Sequence, residues 1–101
     1  MKTFMIISFA STGTEDIFDG TDSREARQTC PRELWQKARN KLTVMNAVSR
    51  LEMLKVPPGN RLELLKGDRK GQHSIRINQQ YRICFWWTEK GPAEVEIADY
   101  H

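Results

Sequence analysis

The hydrophobic period of the chain changes once, at Pro57-Pro58-Gly59. Before this point apolar residues recur about every 3.6 positions, as on one face of a helix, and after it they recur at every second position, as in strands. Two prolines followed by a glycine stop any helix that reaches them. The sequence therefore predicts helices followed by an antiparallel strand meander, an α+β layer in which the helices cover one face of the sheet.

An apolar segment precedes the helical part, and residues 2–8 predict a first strand. Its apolar side chains fall on both faces, which is typical of a strand covered on both sides. Thr12 and Glu15 have the spacing of a capping box, so we expect a short helix from Gly13 that ends at Gly20.

A longer helix is predicted from Pro31, because proline suits the first helical position. An apolar stripe follows at Leu34, Trp35, Ala38, Leu42, Met45 and Val48. Leu51 and Leu54 drift off this stripe, so we expect a break near Asn46, which could cap a second short helix.

Strands are predicted after the break at residues 61–65, 73–77, 81–87 and 94–100, with a turn at Gly91-Pro92 between the last two. A chain of 101 residues has room for one core, so residues 1–101 are predicted as a single domain. The first strand, the helical hairpin and the meander would together form one mixed sheet with a helical layer.

The register of the central hairpin follows from its apolar residues. Ile75 and Ile77 must share the core face with Tyr81 and Ile83, because a slip of one residue would turn them to the other face. The simplest pairing joins Ile77 to Tyr81 and Ile75 to Ile83, across a loop at residues 78–80.

That register places Arg76 opposite Arg82 on the other face of the sheet. Like charges directly opposite each other destabilise a sheet, and an anion between them would relieve the repulsion. Trp86 shares this face, and arginines with an aromatic ring can hold a phosphate and a stacked base. The alternative is that both guanidinium groups extend into water and a partner chain covers Trp86.

Charge is distributed unevenly along the chain. Residues 24–59 and 60–90 carry net charges of +5 and +4, whereas residues 1–23 and 91–101 carry −3 each. A cationic middle suits nucleic acid or an acidic protein partner, although solvated helix faces also carry Lys and Arg.

Several residues supply the chemistry of metal-free RNA cleavage. That reaction needs a base for the ribose 2′-hydroxyl, cations for the phosphate and an acid for the leaving oxygen. The closing Asp99-Tyr100-His101 and the turn residue Lys66 provide such groups, together with Arg82 and Arg76. The alternative is that Asp99-Tyr100-His101 is an ordinary chain end.

Cysteine and histidine usage argues against a metal site or a disulfide framework. Cys30 and Cys84 lack CxxC spacing, and the chain has only two histidines. Both cysteines are predicted to be ordinary buried thiols. No apolar run is long enough to cross a membrane, so the sequence predicts a cytoplasmic protein without a membrane partner.

The stretch RLELLKGDRKGQHSIRINQQYRICF and the closing EIADYH resemble the HigB-type toxins of the RelE/ParE superfamily. The resemblance implies a small α+β toxin with a helical hairpin on an antiparallel sheet. It also implies a ribosome-dependent, metal-independent endoribonuclease that needs no cofactor and inhibits translation by cleaving mRNA on the 70S ribosome. The implied partner is a HigA-like helix-turn-helix antitoxin, and operator DNA would be bound only through the antitoxin complex.

Site residues carry over by position from this resemblance. Lys66 and Arg82 would hold the phosphate, and Asp99, Tyr100 and His101 would form the catalytic cluster. The predicted RNA contacts are Arg69, Lys70, His73, Arg76 and Trp86.

One departure concerns Glu63, at a place where the family often has histidine. Glu63 would then act as a base, or His73 would fill the gap, although a packed ring is the more natural interpretation of His73. Two other functions stay open. One is a ParE-like, non-enzymatic toxin that inhibits a topoisomerase, and the other is a weakened toxin that binds its antitoxin as a co-repressor.

Overall fold

The computed structural model of the protein describes residues 5–100. Within them lie three helices, α1 (Thr12–Asp19), α2 (Arg24–Thr29) and α3 (Trp35–Met45). Four strands follow, β1 (Glu63–Leu64), β2 (His73–Arg76), β3 (Tyr81–Thr88) and β4 (Gly91–Asp99). This order confirms the predicted α+β class. Nowhere in residues 5–100 is a helix long and apolar enough to span a bilayer.

The strands form one sheet in the order β1-β2-β3-β4, and each neighbouring pair is antiparallel. Ile75 pairs with Ile83 and Arg76 with Arg82, and the Ile77 amide donates to the Tyr81 carbonyl at 2.9 Å. The predicted hairpin register is therefore confirmed.

The helices cover one face of this sheet. Apolar side chains of β2 and β3 meet those of α1 and α3 in a core that includes Ile17, Ala38, Leu42, Met45, Ile75, Ile77, Ile83 and Phe85. Burying such a side chain contributes about 1.5–3 kcal/mol to the free energy of unfolding, so this layer is the main source of stability.

Helix α1 begins one residue earlier than predicted. Its N-cap is Ser11, whose hydroxyl accepts from the Thr14 amide, so Thr12 is already helical and Glu15 lies in the first turn. Gly20 ends the helix in the left-handed conformation, as predicted. Helix α2 was not predicted, since its six residues lack an apolar stripe, but Ser23 caps it through the Ala26 amide.

The N-terminal segment differs most from its prediction. Residues 2–4 lie outside the described residues, and residues 5–8 form no strand. The segment runs beside β4 through a single parallel bridge between Phe9 and Val95, with Met5 and Ile7 exposed. Backbone hydrogen bonds join Ile7, Ser8 and Ala10 to Pro92 and Val95 of β4. Pro92 has no amide to donate, and the Glu94 amide bonds the Ser8 hydroxyl rather than a carbonyl, so these bonds do not continue as a regular ladder.

The predicted long helix is shorter than its apolar stripe. After Pro31 the chain makes a 3₁₀ turn at Arg32–Leu34, and α3 begins only at Trp35. The helix ends next to Asn46, which confirms the predicted break. Asn46 caps no second helix, because its side-chain oxygen accepts from the Ile6 amide at 2.9 Å, and Leu51–Lys55 is a 3₁₀ turn without a side-chain cap.

Two strand boundaries also need correction. The predicted strand at residues 61–65 is reduced to Glu63–Leu64, since Arg61 adopts a left-handed backbone with φ 47°. Gly91 and Pro92 were predicted as a turn but form the first residues of β4.

Candidate active site

The face of the sheet opposite the helices carries the polar residues of the candidate site. Because side chains alternate along β3, Arg82, Cys84 and Trp86 all lie on this face. Cys84 forms a small buried apolar cluster with Leu65 and Ala98. We call this surface the open face.

Arg82 is the centre of the open face and is only 6% exposed. Its Nε donates to the Ser74 hydroxyl at 2.7 Å, and its Nη2 donates to the Arg61 carbonyl at 2.8 Å. Nη2 also lies 3.1 Å from the Glu63 carboxylate. No described residue accepts a hydrogen bond from Nη1, and the two N–H donors of this nitrogen are of the type that binds anions.

Two other predicted site residues flank Arg82. The Arg82 guanidinium lies over the Tyr100 ring, 6.0 Å from its centroid. The Tyr100 amide donates to the Gln80 carbonyl at 2.6 Å, which fixes the backbone beyond β4. The side chain of Glu63 is 53% exposed. A carboxylate and a phenol therefore stand beside one buried cation, with both reachable from solvent.

A second ion pair extends the open face. Arg69 contacts the Glu96 carboxylate at 3.1 Å and the Gln72 side-chain oxygen at 3.2 Å.

On the same face, the Trp86 ring lies over Gly71, where an added Cβ would stand 2.7 Å from a ring carbon. Position 71 therefore requires glycine for two reasons: a side chain would collide with the ring, and the backbone has φ 93°, which residues with a Cβ rarely adopt. Trp86 stays 41% exposed and offers a surface for stacking.

The cysteines take no part in acid–base chemistry at the site. Burial raises the pKa of the Cys84 thiol, and the nearby charges of Arg69 and Arg82 only partly oppose this. Burial raises the pKa of Cys30 to about 11. Both are free and buried, as predicted, and a protonated thiol acts as a small apolar group.

The structure does not bring all predicted site residues together. Asp99 pairs with Tyr81 in the β3–β4 ladder, on the helix-covered face, and accepts a hydrogen bond from Gln80 at 3.0 Å. Burial and the Asp99 carboxylate raise the pKa of Tyr81. Asp99 thus lies behind the sheet as seen from Arg82.

His73 also lies on the helix-covered face. Its ring stacks on Phe85, with centroids 6.2 Å apart, and burial lowers its pKa. The structure therefore favours the packed ring over a replacement for the family's histidine. His101 lies outside the described residues.

The remaining predicted cations lie at the margins of the site. Lys66 is exposed and immediately precedes the 3₁₀ turn Gly67–Arg69, and Lys70 follows that turn. Arg76 faces Arg82 in the register, as predicted, and is partly buried. Within residues 5–100 it forms no ion pair, whereas Glu63 already neutralises Arg82.

Sequence reasoning missed the groups that hold Arg82 in place. Ser74 is two positions before Arg76 on the same strand, so the alternation alone would have placed its hydroxyl on the open face. The Arg61 carbonyl had no such signal, since it depends on a left-handed residue that is not glycine. Among residues 5–100, no three His, Cys, Asp or Glu side chains converge as metal ligands would.

Comparison with known proteins gives a consistent assignment. The model of a family described as HigB-like toxin, RelE-like toxin of type II toxin–antitoxin system HigB, matches residues 7–101. Toxin HigB-1 of Vibrio cholerae serotype O1 is 47% identical over 49 residues, which are 48% of this chain and 52% of that protein. An uncharacterized protein of Haemophilus influenzae is 36% identical over 55 residues, 54% of each chain. The chain thus spans about half the length of the curated relatives it matches.

A solved structure of the YoeB–YefM complex from Staphylococcus aureus has the same fold. One of its chains superposes with a TM-score of 0.52 at 17% sequence identity, covering 99% of both chains. At this identity the likeness concerns the fold alone.

Proposed function

Because this chain belongs to the HigB-like family of RelE-like toxins of type II toxin–antitoxin systems, we propose that it is an endoribonuclease that cleaves mRNA on the 70S ribosome. The observation that carries the proposal is the buried Arg82 on the open face, with Tyr100 and Glu63 beside it. A buried guanidinium with accessible acid–base groups at its side suits a reaction at a phosphate.

The proposed reaction needs neither metal nor cofactor. A base takes the proton of a ribose 2′-hydroxyl, and that oxygen attacks the adjacent phosphorus. The bond from phosphorus to the 5′-oxygen breaks, and an acid protonates the departing oxygen. Arg82, through Nη1, and Lys66 would hold the phosphate and stabilise its added charge.

The acid and base are proposed among Glu63, Tyr100 and His101. Glu63 now pairs with Arg82, so an incoming phosphate would compete with it for the guanidinium and release a carboxylate beside the reacting group. His101 follows Tyr100 directly in the sequence, and imidazole transfers protons near neutral pH. Asp99 lies on the other face, so we assign it no proton transfer.

RNA flanking the cleaved bond would follow the open face. Trp86 offers a ring for stacking, and Arg69 and Lys70 bring positive charge from the neighbouring turn. Arg76 would add a phosphate contact at the end of the hairpin. We assign no RNA contact to His73, which packs against Phe85.

The proposed protein partner is a HigA-like helix-turn-helix antitoxin. The family consists of toxins of type II toxin–antitoxin systems, and the structural neighbour YoeB was solved as a complex with YefM. Operator DNA would be contacted only through the toxin–antitoxin complex. The proposed site of action, the translating ribosome, lies in the cytoplasm.

The test is primer extension on a reporter mRNA after induction of the toxin, with and without translation of that mRNA. We expect cuts that depend on translation. Tyr100→Phe removes the hydroxyl beside Arg82 and should reduce cleavage by at least about tenfold, as expected for loss of a proton-transfer or hydrogen-bonding group. Tyr81→Phe is the matched control on the helix-covered face and should cleave like the wild type.

Two other results would contradict this proposal and support one of the two alternative functions. Intact mRNA with altered plasmid supercoiling would indicate a ParE-like inhibitor of a topoisomerase. Intact mRNA without growth arrest, but with repression of a promoter in the presence of an antitoxin, would indicate a co-repressor.

A further inference from the structure

Two adjoining cavities lie between α3 and the segment of residues 54–60, and the second extends to Arg76 at the end of the β2–β3 hairpin. The first holds about 210 Å³ and is lined mainly by apolar residues, Val44, Leu54, Val56, Pro57 and Ile75. The second holds about 390 Å³ and is lined by three cationic side chains, Lys37, Lys41 and Arg76, among others. Lys41 and Pro57 border both cavities. We call the pair the α3 groove.

The charge of the α3 groove is unbalanced. None of the described residues that line its two cavities carries a carboxylate. Lys37, Lys41 and Arg76 form no ion pair with any of residues 5–100. Burial and the nearby Lys37 ammonium lower the pKa of Lys41, so the two cations disfavour each other. An anionic ligand would relieve this repulsion.

The position of Lys41 is fixed before any ligand arrives. Its ammonium donates to the side-chain oxygen of Asn60, which is 3% exposed. The Asn60 amide group in turn donates to the Leu54 and Val56 carbonyls at 3.1 and 3.2 Å. A cation held by a buried amide loses less conformational entropy on binding than a free lysine does.

The apolar cavity identifies the chemistry of the occupant. Val56 and Val44, which line it, are 70% and 48% exposed, so an aliphatic side chain entering there would cover apolar surface on several sides. No aromatic ring lines either cavity within the part of the chain that the structure describes, so the groove offers no platform for stacking a nucleic-acid base. An apolar cavity next to cationic side chains suits an acidic peptide with an aliphatic side chain better than it suits RNA.

We propose that the α3 groove binds an acidic peptide segment of a protein partner. An aliphatic side chain of the segment enters the apolar cavity, and carboxylates on either side of it pair with Lys37, Lys41 and Arg76. We take this partner to be the proposed antitoxin, so its identity rests on the proposed function. Arg82 lines neither cavity, whereas Arg76 belongs both to the groove and to the proposed RNA path at the end of the hairpin.

The test uses NMR of the full chain with labelled methyl groups of Leu54, Val56 and Ile75. The probe is a short synthetic peptide in which one leucine is flanked by glutamates. We expect these methyl signals to shift on titration, and replacing the leucine by alanine, or the glutamates by lysines, should abolish the shifts. Lys37→Glu should weaken binding about fivefold or more, as expected when an exposed charge pair becomes repulsive. Lys90→Glu, in the β3–β4 turn, is the matched control and should bind like the wild type.

The outcomes separate this proposal from the proposed function. If the methyl signals stay unshifted, or if Lys37→Glu binds as the wild type does, the groove is not a peptide site. If a single-stranded RNA shifts the same signals and displaces the peptide, the groove is an RNA site and the proposal is wrong. Lys37 is not part of the proposed active site, so translation-dependent cleavage by Lys37→Glu should match the wild type if the groove is a peptide site. Absence of peptide binding together with wild-type cleavage would leave the nuclease proposal intact.

Discussion

Strand β3 is buried on both faces, but by different means. On the helix-covered face Ile83 and Phe85 are fully buried among aliphatic and aromatic side chains. On the open face Arg82 is 6% exposed, yet its neighbours are a hydroxyl, a carbonyl and the half-exposed Glu63. The same strand thus has one apolar face and one face organised around a charge.

The two faces contribute unequally to stability. Burying apolar area stabilises a fold in proportion to the area, about 25 cal/mol per Å². A buried cation must first lose its hydration, and its partners often do no more than compensate for that loss. The polar groups around Arg82 are therefore hard to explain by stability, and the proposed binding of an anion would account for them.

The largest expected effect on the free energy of unfolding comes from truncating Phe85 on the helix-covered face. Phe85→Ala should lower the free energy of unfolding by about 3–5 kcal/mol, because it leaves a cavity in the core. Cys84→Ala, the neighbouring buried residue on the open face, should cost about 1 kcal/mol. Urea unfolding measures both values. If Phe85→Ala does not fold, Phe85→Leu should still show a loss, of about 1.5 kcal/mol.

Equal losses for the Phe85 and Cys84 variants would contradict the comparison. They would mean that the small cluster of Leu65, Cys84 and Ala98 stabilises the fold as much as the helix-covered core does.

What the sequence predicts also differs between the two faces. Alternation along β2 and β3 correctly predicted the pairing of Ile75 with Ile83, because a slip would expose apolar area. It also placed Arg76 opposite Arg82. It could not predict that Glu63 would neutralise Arg82, because that contact depends on the pairing of β1 with β2, which places Glu63 beside Ser74 and which no period fixes.

The ends of the elements were less predictable for a related reason. Residues 5–8 have the composition of a strand. Beside them, however, Pro92 of β4 has no amide and Glu94 has a left-handed backbone, so β4 offers too few backbone hydrogen-bond partners for a regular ladder. The position of Asp99 follows from the β3–β4 register, which no sequence pattern fixed. Local propensity does not contain such long-range information.

Glu63→Gln tests what the ion pair between Glu63 and Arg82 contributes on the open face. The variant keeps the shape of the side chain but removes its charge. Since Glu63 is half exposed, the free energy of unfolding should fall by no more than about 1 kcal/mol. If Glu63 is the base, mRNA cleavage on the ribosome should slow by about 100-fold or more, with little change in ribosome binding.

Glu96→Gln is the matched control for this variant. It breaks the other ion pair of the open face, with Arg69, at the same 3.1 Å separation. It should change stability by a similar small amount and cleavage by far less. Wild-type cleavage by Glu63→Gln would exclude Glu63 as the base and leave Tyr100 and His101 for proton transfer.

The smallest expected effect concerns His73 on the helix-covered face. Burial lowers the pKa of His73 in the folded protein, whereas the unfolded chain takes up this proton near pH 6.5. Between the folded pKa and about pH 6.5 the unfolded chain therefore binds more protons than the folded protein does. Stability should therefore rise with pH through this window and fall as the pH decreases from about 6.5 towards the folded pKa.

His73→Phe should flatten this dependence, because it removes the titrating group and keeps a ring against Phe85. The other charged residues that line the cavity beside His73, namely Glu52, Lys55 and Glu63, remain in place. The measurement is the urea midpoint at a series of pH values for both proteins. Equal slopes would show that His73 gains or loses no proton on folding, and the helix-covered face would then be pH-insensitive at this position.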